Sequence, residues 1–131
     1  MRALVVDDSR TMRRIVARIL GDLGFEVVEA GDGQQGLDAL ADGPPPQLAC
    51  VDWNRQVMDG LSFITHVRAV PAWRDITLMM VTTESEYSQI VRALAAGAHE
   101  YLIKPFTAQA MAEKLELLGL VPGYDVSGAR S

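Results

Sequence analysis

Residues 3–8 read Ala3-Leu4-Val5-Val6-Asp7-Asp8, and the next fifteen carry Met12, Ile15, Val16, Ile19, Leu20 and Leu23 at steps of three and four. Four consecutive apolar residues without alternation suit a strand covered on both faces, as in a parallel sheet. The following spacing gives one apolar stripe on a helix, with Arg13, Arg14, Arg18 and Asp22 expected on its solvated side. A strand ending in two acids and running straight into an amphipathic helix is half of a βαβ unit. The rest of the chain repeats it.

Further strand-like runs fall at residues 25–28, 48–51, 76–81 and 101–103, and helical spacing recurs in 34–40, 61–67, 90–94 and 111–118. Gly24, Gly43 with three prolines, Pro71 and Gly97 close successive helices, and Thr107 is a suitable N-cap for the last. Five strands alternating with five helices predict an open, doubly wound α/β domain with right-handed crossovers. Residues 1–119 form that domain in this reading. Residues 120–131, with Pro122 and little apolar periodicity, form a mobile C-terminal tail.

Composition narrows the function. At 131 residues the chain holds one core, and its formal charge of −5 opposes binding to nucleic acid or anionic lipid. Cys50 is the single cysteine, so no intramolecular disulfide and no cysteine-based zinc site can form. The first apolar run is too short for a signal peptide or a membrane span. A cytoplasmic location without membrane insertion is expected.

In an open parallel sheet, ligands bind beyond the carboxyl ends of the strands. Asp7 and Asp8 follow the first strand, Asp52 the third, Thr82 and Thr83 the fourth, Lys104 and Pro105 the fifth. Two like charges about 4 Å apart repel by roughly 4 kcal/mol at an effective dielectric constant near 20, so three converging carboxylates call for a cation. Mg²⁺ suits such oxygen donors and works beside phosphate. With Lys104 it balances the three acids, and a phosphoryl group arriving on a carboxylate would meet Mg²⁺, Lys104 and a hydroxyl.

Over residues 1 to about 120 the sequence resembles bacterial response regulator receiver domains of the CheY-like chemotaxis type. The resemblance rests on Val6-Asp7-Asp8, Val51-Asp52-Trp53-Asn54, Met58-Asp59-Gly60, Val81-Thr82-Thr83-Glu84, and Tyr101 followed by Lys104-Pro105. It implies the flavodoxin-like (βα)5 fold with strand order 2-1-3-4-5. It also implies that Asp52 is the phosphoacceptor, that Asp8 binds Mg²⁺ directly, that Asp7 does so through water, and that the Asn54 backbone carbonyl completes the set.

By the same resemblance Thr82 and Lys104 hold the phosphoryl group, with Thr83 beside it, Tyr101 turns inward as the site tightens, and Lys104-Pro105 is cis. Asn54 and Glu84 would tune the rate of hydrolysis. Ile90, Tyr101 and Lys114 would lie on the output surface made by the fourth helix, fifth strand and fifth helix. The phosphoryl donor would be a sensor histidine kinase or a histidine phosphotransfer domain, and the target a protein such as the flagellar motor switch. The domain would act as a monomer, and would not be a turnover enzyme although it dephosphorylates itself. Gln56 and Thr83 depart from the family's usual proline and small residue, which bears on kinetics.

Each residue also has a plainer reading: Asp7-Asp8 as helix-entry acids, Thr82 as a turn hydroxyl, Tyr101 as a packed aromatic, Arg10, Arg13 and Arg14 as a solvated face. His66 and His99 are read as structural or surface residues. A haloacid dehalogenase type phosphatase needs a second Asp two residues past its nucleophile, whereas Asn54 follows Asp52 and Ser9 follows Asp7. A flavodoxin would need a first loop rich in Ser and Thr. A pseudo-receiver would have lost an acid or the lysine. The alternative is a receiver domain of a longer regulator, or a phosphorelay intermediate with a partner outside chemotaxis.

Overall fold

The computed structural model describes residues 1–52, 60–82 and 87–120, with the side chains of 87–89 excepted. Its elements run β1 (Arg2–Val6), α1 (Arg10–Asp22), β2 (Glu26–Ala30), α2 (Gly33–Ala41), β3 (Leu48–Asp52), α3 (Gly60–Ala69), a 3-10 turn (Pro71–Trp73), β4 (Thr77–Thr82), α4 (Tyr87–Ala96), β5 (Glu100–Ile103) and α5 (Ala108–Leu117). All strand pairings are parallel and the order is β2-β1-β3-β4-β5. The doubly wound flavodoxin-like fold is therefore present. The order reverses between β1 and β3.

Successive residues of a strand point to opposite faces, so each central strand feeds two cores. Leu4, Val6, Ala49, Val51, Leu78 and Met80 pack with Phe63, Ile64 and Val67 of α3 and with Ile90 and Ala93 of α4. Ala3, Val5, Leu48, Cys50, Met79 and Val81 pack on the other side with Val16 and Leu20 of α1 and with Met111 and Leu115 of α5. Continuous apolar strands in the sequence are the consequence.

Local chemistry fixes the helix starts. Ser9, Asp32 and Thr107 are N-caps, accepting from the N–H groups of Met12, Gln35 and Ala110 at 3.2, 2.8 and 3.0 Å. Gly97 has φ +123°, and a Cβ there would stand 2.6 Å from Arg68 Cγ. Only glycine suits that turn out of α4.

Several expectations need correction. The second strand starts at Glu26 rather than 25 and continues to Ala30, because Phe25 turns under α1 into the core. Ile15 is 46% exposed, so the apolar stripe of α1 is narrower than its spacing implies. Arg13 does not lie on a solvated face: its side chain is folded against β2 and the end of β1. Leu120, assigned to the tail, is buried with the α1 and α5 core, and its N–H donates to the Leu115 carbonyl at 2.8 Å. No helix among the described residues is long and apolar enough to cross a membrane.

Candidate functional site

Pairing register brings the strand ends to one rim. Val6 is level with Val51, Asp52 with Val81, and Thr82 with Ile103. Asp7, Asp52, Thr82 and Lys104 therefore stand at the carboxyl edge, beside the point where strand order reverses. That is where the general rule for open sheets puts a ligand.

Carboxylate oxygens of Asp7, Asp8 and Asp52 lie within 4.8 Å of one another. Lys104 Nζ donates to Asp52 Oδ1 at 2.8 Å and to Asp7 Oδ2 at 3.3 Å. These three side chains are largely covered, whereas Asp8 is exposed. Lys104 is aimed by its own backbone, whose N–H donates to the Thr82 carbonyl at 2.6 Å. The Lys104-Pro105 peptide is cis, as the resemblance implied.

Burial and charge shift the two ends of the Lys104–Asp7 pair. Burial pushes the Asp7 carboxyl above the usual carboxylate range, and the Asp52 charge adds to this, against the Ser9 N–H and Lys104. For Lys104, burial favours the neutral amine, but the hydrogen bond and charge of Asp52, with Asp7, outweigh it and hold the ammonium above its ordinary value. Burial drives the Asp7 shift, whereas the paired carboxylates of Asp52 and Asp7 drive that of Lys104. Carboxylate oxygens that close together fit a hard divalent cation such as Mg²⁺.

Strand alternation divides the other residues. Asp52 and, by continuation, Asp7 and Lys104 have the parity of the α1 and α5 face. Thr82 and Tyr101 share the opposite face, since Thr82 pairs with Ile103 and Met80 with Tyr101. Thr82 is buried at 2% exposure, and Tyr101 is half-buried against the α3 and α4 core. Lys114 Nζ lies 4.7 Å from the Tyr101 ring centroid and 3.0 Å from Glu100 Oε1.

Ile90, expected on the output surface, is 6% exposed and belongs to the core; among the described side chains of α4, the large hydrophobics Val91 and Leu94 are exposed. The helix is rotated so that Ile90 and Ala93 face the sheet. Trp53, Asn54, Gln56, Thr83 and Glu84 lie outside the described residues. His66 and His99 stay apart from the site. His66 Nδ1 lies 2.9 Å from the Ser62 carbonyl, whereas His99 Nδ1 accepts the Leu78 N–H at 3.1 Å and faces Arg68 Nη2 at 3.2 Å.

Two arrangements escape the sequence reading. Ser9 N–H donates to Asp7 Oδ1 at 2.8 Å, and Arg13 Nη1 donates to the Asp7 carbonyl at 2.7 Å. Ser9 was legible as a polar residue opening a helix. Arg13 carried a signal only in its place next to the buried stripe of α1.

The sheet is doubly wound, with an acid cluster at its reversal point into which Lys104 reaches from the end of β5, and residues 3–116 match the response regulator receiver domain family. The chain belongs to that family. It is 41% identical over 119 residues to chemotaxis protein CheY1 of Helicobacter pylori strain J99, covering 90% of this chain and 96% of that protein. It is 43% identical over 117 residues to a chemotaxis protein CheY homolog of Campylobacter jejuni, covering 88% and 90%. Among solved structures, chemotaxis response regulator CheY4 of Vibrio cholerae superposes with a TM-score of 0.83 at 31% identity, covering 89% of this chain and 97% of that one. The chain is thus a two-component receiver of the chemotaxis-like kind, and a receiver domain is not a classical enzyme.

Proposed function

We propose that Asp52 accepts a phosphoryl group from a phosphohistidine, of a sensor kinase or a histidine phosphotransfer domain. A carboxylate oxygen forms the new O–P bond while the P–N bond breaks and the imidazole leaves. The observation that carries this reading is the Lys104 ammonium 2.8 Å from Asp52 Oδ1, with Asp7 and Asp8 closing the cluster.

Asp8 and Asp52, with Asp7 through water and the Asn54 carbonyl, would hold Mg²⁺. Bound there, Mg²⁺ would neutralise the oxygens of the transferring group. Lys104 stabilises the charge that develops on the phosphoryl oxygens, and the Thr82 hydroxyl accompanies it. Thr83, Asn54 and Glu84 set the rate of self-hydrolysis, in which water takes the phosphoryl group and restores Asp52. The shared sheet face of Thr82 and Tyr101 supports a route in which Thr82 moves toward the phosphoryl group and the Tyr101 ring turns into the space vacated. The output face is then made by α4, β5 and α5, with Tyr101 and Lys114 on it, and its target is a protein such as a flagellar switch. The domain works as a cytoplasmic monomer.

Incubation with acetyl phosphate and Mg²⁺ should add one phosphoryl group by intact-mass measurement, and Asp52→Asn should prevent it. Undiminished labelling of Asp52→Asn would mean that another residue is the acceptor. No labelling of the native chain would defeat the phosphoacceptor reading.

A further inference from the structure

Asp7 is held at four points. Its N–H donates to the Ala30 carbonyl at 3.1 Å, its Oδ1 accepts the Ser9 N–H at 2.8 Å, and its Oδ2 accepts Lys104 Nζ at 3.3 Å. The fourth point is the carbonyl, which accepts Arg13 Nη1 at 2.7 Å. That oxygen lies one residue past the end of β1, on the same edge as the N–H and so toward β2, where the pairing has stopped at Ala30. A side chain from α1 does what the sheet no longer does.

The consequence comes from peptide geometry. The Asp7 carbonyl is part of the planar unit that joins Asp7 to Asp8, so its direction fixes the backbone on both sides. If that plane turns, the Cβ of Asp7 and the Cβ of Asp8 turn relative to one another, and their carboxylates part. One donor on one oxygen therefore sets the spacing of two acids. Ser9 and Lys104 orient the Asp7 carboxylate but do not act on Asp8 through this plane.

Arg13 can do this without upsetting the charge of the site. Its Nε lies 3.1 Å from Glu29 Oε1 on β2, and the side chain is 17% exposed. The guanidinium fork spans α1, the end of β1 and the edge strand, with Glu29 neutralising it. An unpaired cation in the same place would oppose uptake of a metal ion. Arg14 Nε, at 3.7 Å from the same Glu29 oxygen, is 63% exposed and stays to neutralise Glu29 if Arg13 is removed.

We infer that Arg13, braced by Glu29, is a positioning residue that sets the relative orientation of Asp7 and Asp8 for a divalent cation. This inference rests on the metal reading proposed above. It assigns Arg13 no contact with the ion or the phosphoryl group. Its effect passes through one peptide unit.

The test is calorimetric titration with MgCl₂ of the native chain, Arg13→Met, Arg13→Lys and Glu29→Gln, with the Ser9 amide followed by NMR. Arg13→Met should raise the Kd for Mg²⁺ about tenfold, the lower end of the range for groups that orient metal ligands. The Ser9 amide resonance should move as Asp7 is released. Arg13→Lys, whose ammonium can still reach the carbonyl, should recover most of the affinity, which a mere loss of packing would not explain. Glu29→Gln keeps the side chain's shape but removes the charge that neutralises Arg13 and weakens its hold, so it should also weaken binding, and it decides the matter if Arg13→Met does not fold. Native affinity in Arg13→Met or in Glu29→Gln, or no recovery in Arg13→Lys, would overturn the inference while leaving the metal reading intact. A native chain that takes up no Mg²⁺ would overturn both.

Discussion

Replacing Asp7 by Asn should make the metal-free protein more stable and the Mg²⁺-bound protein weaker, because the same carboxylate that favours the cation opposes folding. At an effective dielectric constant near 20, carboxylate oxygens no more than 4.8 Å apart repel by about 3.5 kcal/mol or more, and the Lys104 contact at 3.3 Å returns about 5 kcal/mol. Asp8 adds a second repulsion, reduced by its exposure to solvent. The pair effects nearly cancel, so burial of the charge decides the sign, in agreement with the raised Asp7 carboxyl.

Asn keeps an oxygen for the Ser9 N–H but turns an amide toward Lys104, which offsets part of the gain. A net stabilisation of about 1 kcal/mol, or about 3–5 °C in Tm for a domain of this size, is expected in EDTA at neutral pH. The sign can be checked against pH. With the folded value raised above an ordinary 3.8, Asp7 favours the folded state fully below 3.8 and loses that contribution as pH rises through the folded value. The advantage of Asn should thus be absent in acid and open up toward neutrality.

Saturating Mg²⁺ should reverse the ranking, since a ligand at about 100 times its Kd adds about 2.7 kcal/mol to whichever protein binds it. Thermal melts with EDTA and with Mg²⁺ read both effects. An Asp7→Asn protein that melts below the native chain in EDTA would refute the burial argument. Equal Mg²⁺ stabilisation of the two would remove Asp7 from the metal site.

Gly97→Ala combines a positive φ with a Cβ 2.6 Å from Arg68, so it should cost about 2 kcal/mol or more in urea unfolding; a loss below about 0.5 kcal/mol would mean that the turn relaxes freely. Burial and the Arg68 charge hold the His99 imidazole below its ordinary 6.5. Its share of stability is complete above 6.5 and falls as pH drops from there toward the folded value, and His99→Gln should flatten that part of the stability profile. Thr82→Ala and Tyr101→Ala should each accept phosphate on Asp52 yet lose most phosphate-dependent partner binding, where coupling is typically about 5- to 150-fold. A full gain in affinity in either variant would send the signal by another path.

The sheet was legible because β1, β3 and β4 are buried on both faces, which leaves runs such as Leu48 to Val51 continuously apolar. β2 was less so: as an edge strand it exposes Glu26, Val28 and Glu29, and Phe25 looked like its first residue although it packs beneath α1. Asp7, Asp8, Asp52 and Lys104 could be found because the carboxyl ends of parallel strands converge wherever the chain is read as βαβ. Arg13 could not be found that way. Its role depends on the height of α1 along the sheet, which helical spacing does not state. The orientation of Ile90 was missed for a related reason, since a segment with apolar residues at 90, 91, 93 and 94 allows two buried faces.

The two outer strands of the sheet share a property with a bearing on solubility. β3 and β4, Leu-Ala-Cys-Val-Asp and Thr-Leu-Met-Met-Val-Thr, would template association with other chains if either lay at a margin, but both are interior. The margins fall instead to β2, with Glu26 and Glu29, and to the four-residue β5, where Glu100 is paired with Lys114. A foreign strand approaching either margin meets carboxylates before it meets free backbone. Substitution of Glu26 and Glu29 by apolar residues would leave the fold's core untouched and open β2 to strand-by-strand growth.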